Sequence, residues 1–192
     1  IGTAAGGFQQ GDDNTSLGNA AGGFVEGNRN LHVGSNAGNY TIGDDNMAIG
    51  LQAGSSTSGS RNSAIGLQAG YNIQGNDNLM FGNKAGYNIQ GDDNIALGQN
   101  TGQYVTGQRN TSLGMGAGVS TSGNDNIGIG SNANMGAPAF LQYAQGMSAQ
   151  GNNNIGIGSN AGNFYFMDAS GTEMQDRNGN VYTMEFDPNT GS

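Results

Sequence analysis

The sequence predicts an all-β fold, a parallel β-solenoid (β-roll) built from 16-residue coils. Three observations predict it. Glycine recurs in fixed phase at Gly11, Gly27, Gly43, Gly59, Gly75, Gly91, Gly107 and Gly123, each 16 residues after the last. A bulky apolar residue stands six positions after each opening glycine: Leu17, Val33, Ile49, Ile65, Phe81, Leu97, Leu113 and Ile129, with Ile157 in a ninth copy. Between the glycines lie short runs of strand-forming residues, and nowhere is there a helical apolar stripe of useful length. A flexible glycine-rich linker has no reason to keep Ile or Leu at one phase, so the period marks a repeat structure.

The unit is clearest at 43–54, GDDNMAIGLQAG. Counting the opening glycine as zero, the third position is asparagine in every copy: Asn14, Asn30, Asn46, Asn62, Asn78, Asn94, Asn110, Asn126 and Asn154. The seventh is glycine from Gly18 to Gly158, and the tenth is alanine except at Thr101. The ninth copy opens at Gly151, a step of 28, so twelve extra residues, GAPAFLQYAQGM at 136–147, sit inside the eighth. The repeat occupies 1–163, and a tail rich in Phe, Tyr and Met fills 164–192. Ile1, Gly2, Ala5 and Gly6 fall on the same frame, so the chain opens in mid-unit and reads as a piece of something longer.

Each unit carries two extended runs. Asn46-Met47-Ala48-Ile49 and its cognates give one; Phe24-Val25, Tyr40-Thr41-Ile42, Asn72-Ile73, Asn88-Ile89 and Tyr104-Val105 give the other. Two short strands and two glycine turns make one coil, and coils stack as parallel strands about 4.8 Å apart. Period two sets the side-chain directions. If the sixth position faces inward, so does the fourth: Leu31, Met47, Leu79, Ile95, Ile127 and Ile155. The fifth, with Ala48, Ala64, Ala96, Ser112, Gly128 and Gly156, then faces out, where small residues suit close approach of another chain. The alternative is that these small residues line a thin interior. Either way one coil buries one or two aliphatic side chains, worth about 1.5–3 kcal/mol each. Ordering each of its residues costs about 1–2 kcal/mol. Single coils are unstable, and stability is expected to rest on stacking and on assembly of several chains.

Composition excludes several classes. The net charge is −9 with five basic residues, unlike a nucleic-acid or anionic-membrane binder, which needs a basic surface. There is no cysteine, hence no disulfide or thiolate metal site. No apolar run approaches the length of a membrane span.

The asparagine column reads as a structural ladder. Asn tolerates left-handed geometry beside a glycine turn and bonds its own backbone, and stacked copies can pair amide to amide. The second position reads Asp13, Arg29, Asp45, Arg61, Asp77, Asp93, Arg109, Asp125 and Asn153, a column of mostly alternating sign that predicts ion pairs between coils. Asp77 next to Asp93 breaks the alternation, and with Asp92 beside them these three are the candidate calcium ligands, although calcium wants six or more oxygens and arginine replaces aspartate in alternate copies. No catalytic residues and no cofactor are expected. His32 is the single histidine, and no Ser/His/Asp set, HExxH or P-loop is present. Phe140, Leu141 and Tyr143 in the insertion are candidates for a partner-binding loop, the alternative being that they fold back over a coil or a neighbouring subunit. In the tail, Asn178-Gly179 is a hairpin signal, and the segment is expected to be β-hairpin-rich, capping the last coil or connecting to a further domain.

The strings NMAIG (46–50), NSAIG (62–66), NIALG (94–98) and NIGIG (126–130 and 154–158), each after a GxxN turn, resemble two related repeats. One is the head repeat of YadA-type trimeric autotransporter adhesins. The other is the glycine-rich repeat of phage tail-fibre proteins, similar to IGLQAG (49–54 and 65–70) with its GDDN or GNDN. The resemblance covers 1 to about 163 and implies a left-handed β-roll in a homotrimer, displayed on a virion or cell surface and meeting a host receptor such as a glycan. The autotransporter repeat is usually shorter, and its stalk and barrel are missing from this sequence, which favours the phage fibre. The expected function is therefore a fibre or spike segment mediating host attachment. The alternatives are a bacterial adhesin head binding matrix or glycans and, from another class, a monomeric calcium- or ice-binding solenoid.

Overall fold

The computed structural model describes residues 1–133, 149–150, 152–153 and 155–159. The candidate loop residues Phe140, Leu141 and Tyr143, the tail at 164–192 and Asn154 lie outside the described residues.

Two nine-stranded parallel sheets run side by side. The first contains Phe8–Gln10, Phe24–Glu26, Thr41–Ile42, Thr57–Ser58, Ile73–Gln74, Ile89–Gln90, Val105–Thr106, Thr121–Ser122 and Ala149–Gln150. The second contains Thr15–Leu17, Leu31–Val33, Met47–Ile49, Ser63–Ile65, Leu79–Phe81, Ile95–Leu97, Thr111–Leu113, Ile127–Ile129 and Ile155–Ile157. Each residue pairs with its counterpart 16 places on, as Leu79 with Ile95 and Ile89 with Val105. Across the insertion Ile127 pairs with Ile155 and Thr121 with Ala149, so the twelve extra residues leave the stack in register. The chain is a β-solenoid of 16-residue coils.

The coils bend where the backbone turns left-handed, at the second, ninth, eleventh and, from Tyr40 on, thirteenth positions: Asp45 (φ 59), Gln52 (φ 57), Gly54 (φ 57) and Ser56 (φ 63) in one coil. The third-position asparagines do not take that conformation. The residue before each one does, which leaves the asparagine side chain pointing into the stack. The opening glycines are required by the neighbouring coil. Gly43 has φ 133, and a Cβ there would fall on the carbonyl oxygen of Gly59.

The side-chain directions reverse the inward reading of the sixth position. Fifth-position residues face the interior, where Ala48, Ala64, Met80 and Ala96 are at most 2% exposed. Fourth- and sixth-position residues face out, and Phe81 is 56% exposed. The width of the coil is the reason. The eleventh-position glycine packs directly on the fifth-position side chain: a Cβ on Gly54 would stand 2.7 Å from the Cβ of Ala48. An interior this narrow takes one side chain per strand and has no place for a Leu and an Ile from the same strand. Small residues line a thin interior, and they are not outward points of approach for another chain.

Three further columns complete that interior. Ala37, Ala53, Ala69 and Ala85 at the tenth position are fully buried, with Thr101 in the same column. Val25, Ile73, Ile89 and Val105 of the first sheet face the fifth-position column. Thr41, Thr57 and Thr121 share their row, and each donates its hydroxyl to the carbonyl of the glycine three residues before, at 2.9, 2.7 and 2.9 Å. The buried asparagines form the last wall. Met80 is the largest apolar residue of the fifth-position column, and its tail reaches back one coil. A Cβ on Gly70 would meet Met80 Cε at 2.8 Å, Ala64 Cβ at 2.8 Å and Ile73 Cδ1 at 2.9 Å, so the methionine fills space left by the alanine below.

Candidate functional site

The outward face of the second sheet is the feature that the interior does not explain. Its sixth-position column runs Leu17, Val33, Ile49, Ile65, Phe81, Leu97, Leu113, Ile129 and Ile157, without a polar member. Beside it the fourth-position column runs Thr15, Leu31, Met47, Ser63, Leu79, Ile95, Thr111, Ile127 and Ile155. Neither column carries a charge. In-register pairing stacks these residues into two continuous stripes. Leu17, Phe81, Leu113, Ile155 and Ile157 are each more than 40% exposed. Nine strands at about 4.8 Å, three residues wide, outline a face of roughly 40 by 10 Å. Contiguous apolar patches of several hundred Å2 mark interaction surfaces. The sixth-position residues were visible in the sequence as a column, but their direction was not.

One edge of this sheet is closed by three vertical ladders. In the asparagine ladder, Oδ1 of each residue accepts the backbone amide of the asparagine one coil on, and in most links its side-chain amide as well. The distances are 2.9 and 3.1 Å for Asn78 to Asn94 and 3.1 and 3.0 Å for Asn94 to Asn110. Nδ2 also donates to the opening glycine of the next coil, as Asn62 to the Gly75 carbonyl at 2.8 Å. The links run from Asn14 through Asn30, Asn46, Asn62, Asn78, Asn94 and Asn110 to Asn126. Sequence reasoning missed the second ladder, at the first position. There Asp44 Oδ1 accepts the Asn28 amide at 2.7 Å, Asn76 Oδ1 the Ser60 amide at 2.9 Å and Asp92 Oδ1 the Asn76 amide at 2.8 Å. Its signal was the restriction of the first position to Asp, Asn, Ser and Gln, side chains that can accept such a bond.

The third ladder is ionic. Arg29, Arg61 and Arg109 each grip the aspartate of the next coil, Asp45, Asp77 and Asp125, through Nε at 2.6 Å and a terminal nitrogen at 2.7–2.9 Å. The guanidinium hydrogen bonds hold these three carboxyls below the usual aspartate range and push the arginines up. The candidate calcium ligands are spoken for separately. Asp77 binds Arg61, and Asp92 takes both amides of Asn76. Arg109, one coil beyond Asp93, turns to Asp125 instead. Among the described residues no three His, Cys, Asp or Glu side chains are grouped to hold a metal.

His32 is fully buried in the fifth-position column, where most other copies have Ala, Ser or Gly. Thr41 Oγ1 lies 3.2 Å from its Nε2 and donates to the Gly38 carbonyl, so the imidazole is the Nε2–H tautomer. Nδ1 is without a partner, and burial lowers the pKa to about 4. A neutral, enclosed imidazole with no room for water beside it is a packing group. Two aromatic rows run along the coils: Phe8, Phe24 and Tyr40 at the thirteenth position with centroids 6.4 and 5.8 Å apart, then Tyr71 and Tyr87 at the twelfth, 5.1 Å apart, with Tyr104 of the thirteenth edge-on to Tyr87 at 6.0 Å. Tyr71 and Tyr87 lie nearly parallel, at 7°. Burial, reinforced by the flanking tyrosines, pushes the Tyr87 phenol up.

No helix among the described residues is long and apolar enough to cross a membrane. Comparison of the chain with protein-family models, curated proteins and solved structures finds no match.

Proposed function

We propose that this chain is a structural segment of a virion fibre or spike, of the phage tail-fibre kind, that assembles as a homotrimer and carries attachment to a host receptor, glycan included. The observation that carries the reading is the outward apolar face of the second sheet. An exposed stripe of Leu, Ile and Phe running the length of a solenoid is costly in water and rewards cover. A surface ruled at one coil spacing is matched by another with the same ruling, and a further copy of the chain has it. The thin interior supports the same conclusion, since the Leu, Ile and Phe side chains of the second sheet's fourth and sixth positions are left outside it. The resemblance of NMAIG, NSAIG and NIGIG to phage-fibre and adhesin-head repeats supports a trimer on a virion in this reading. No catalytic role is part of this reading.

Light scattering on the native chain, with and without chelator, tests it. Three copies of the 19.4 kDa chain give about 58 kDa, and that mass is expected to be indifferent to chelator. Phe81→Asp with Ile65→Asp is expected to lower the mass to one chain. A wild-type monomer sinks the proposal, and a monomer that loses β-structure with chelator puts a calcium solenoid in its place.

A further inference from the structure

The fourth-position stripe is apolar except at Thr15, Ser63 and Thr111, which recur every 48 residues, three coils apart. All three lie in the same column. Thr15 is paired with Leu31, Ser63 with Met47 and Leu79, and Thr111 with Ile95 and Ile127. Coil spacing therefore puts a hydroxyl on the face about every 14 Å. Among the described residues none of these hydroxyls is used in a side-chain hydrogen bond, so each keeps its capacity for a partner outside the chain.

We propose that Thr15, Ser63 and Thr111 are register-setting layers that hold assembled copies of this chain parallel and in phase. The inference rests on self-association through the second sheet. The flat outline of about 400 Å2 is about half of the ~800 Å2 that each partner gives to a standard interface, and a second copy is the occupant because it carries the same uncharged columns at the same coil spacing. Apolar stripes ruled identically at every coil have a weakness, because they match equally well after sliding by one coil. A slid assembly is open-ended, whereas a closed ring of copies needs zero offset. The hydroxyl layers penalise slips of one and two coils, and a slip of three, which pairs Thr15 with Ser63 and Ser63 with Thr111, leaves three coils of the face uncovered on each copy. In phase, hydroxyl meets hydroxyl and each has a partner. After a slip of one or two coils, each is buried against Leu, Met or Ile without one, which is costly. An antiparallel alignment through Ser63 would also match the layers, placing Thr15 opposite Thr111. It would leave Ile127, Ile129, Ile155 and Ile157 uncovered, so the parallel arrangement buries more of the face.

The chain has no cysteine, so introduced thiols report register without background. Leu79→Cys and Ile95→Cys sit one coil apart in this column. In the otherwise native chain each is expected to form disulfides with its own kind. In mixtures of the two variants, the crossed disulfide between positions 79 and 95 is expected below a tenth of the self-links, because an in-phase assembly sets each thiol opposite its own copy and the other one coil, about 4.8 Å, further along the axis. With Thr15→Ile, Ser63→Ile and Thr111→Ile together, particles are still expected to form. The crossed link should then rise about tenfold, to the level of the self-links, and the mass distribution should broaden. Circular dichroism confirms that the triple variant is folded. An assembled native chain without self-links, a Thr15→Cys to Thr111→Cys link, or a triple variant with unchanged register overturns this proposal alone. A monomeric native chain overturns the assembly reading and this one with it.

Discussion

Asn62 Oδ1 accepts two hydrogen bonds from Asn78, one from its backbone amide at 3.1 Å and one from its side-chain amide at 3.0 Å. Asn78 Nδ2 in turn also reaches the Gly91 carbonyl at 2.9 Å. Every polar atom of a buried amide is thereby used between three successive coils. This is the arrangement that permits a polar wall inside a narrow solenoid, where an unpaired amide would be costly.

Removing one rung should be expensive. Asn78→Ala strips the acceptor from the Asn94 amides and the donor from Asn62 Oδ1 and the Gly91 carbonyl. Each orphaned group costs about 1–3 kcal/mol. The expected outcome is a clear drop in the denaturant midpoint, while Gln74→Ala on the exposed side of the first sheet stays within about 0.5 kcal/mol. Equal effects at the two sites would refute the ladder's role.

His32 should give the chain an acid-sensitive step. Its pKa falls from 6.5 to about 4 on folding, so the unfolded chain binds the proton more readily. Stability is therefore complete above pH 6.5, declines as pH falls toward 4 and loses nothing further to this group below that. The full loss is about 3 kcal/mol. Residues facing the ring from the packed elements are Ser16 and Ala48 in its own sheet and Thr41 opposite, none of them titratable in this range. Melting temperature followed from pH 7 to 4 should slope in the native chain and flatten in His32→Met.

A second acid step belongs to the ionic ladder. Asp45, Asp77 and Asp125 have depressed folded pKa values, so their contribution is present above pH 3.8 and is lost as pH falls through the lower folded values. Arg61→Gln should remove the part due to Asp77 and leave the His32 slope between pH 6.5 and 4 untouched. Melting curves extended below pH 4 would separate the two. A variant that alters the upper slope instead would show that the assignment is wrong.

The interior should tolerate little change in either direction. Met80→Ala empties a fully buried site flanked by Ala64 and Ala96 and should cost about 2–5 kcal/mol. Gly54→Ala combines a left-handed backbone, φ 57, with the 2.7 Å approach to Ala48, and should cost more than about 1 kcal/mol. Urea unfolding of each variant measures both. A neutral Gly54→Ala would mean that the corner is wider than it stands here.

The recurrence of Gly43, Asn46 and Ile49 in every copy determined by itself that the chain coils, that residue i stacks on residue i + 16, and that asparagine and the Arg/Asp pairs form vertical columns. A constant spacing leaves stacked strands no other register, and any residue kept at one phase must lie above its own copies. The tertiary structure alone decided which face is inside. Alternation of period two is unchanged when the faces are exchanged, so Ala48 between Met47 and Ile49 reads equally well either way. Only the distance between the sheets breaks that symmetry. With Gly54 pressed on Ala48, the coil admits the alanine and turns the methionine and isoleucine out. The same distance explains why an outward apolar face, the basis of the proposed assembly, could not be read from the pattern that produced it.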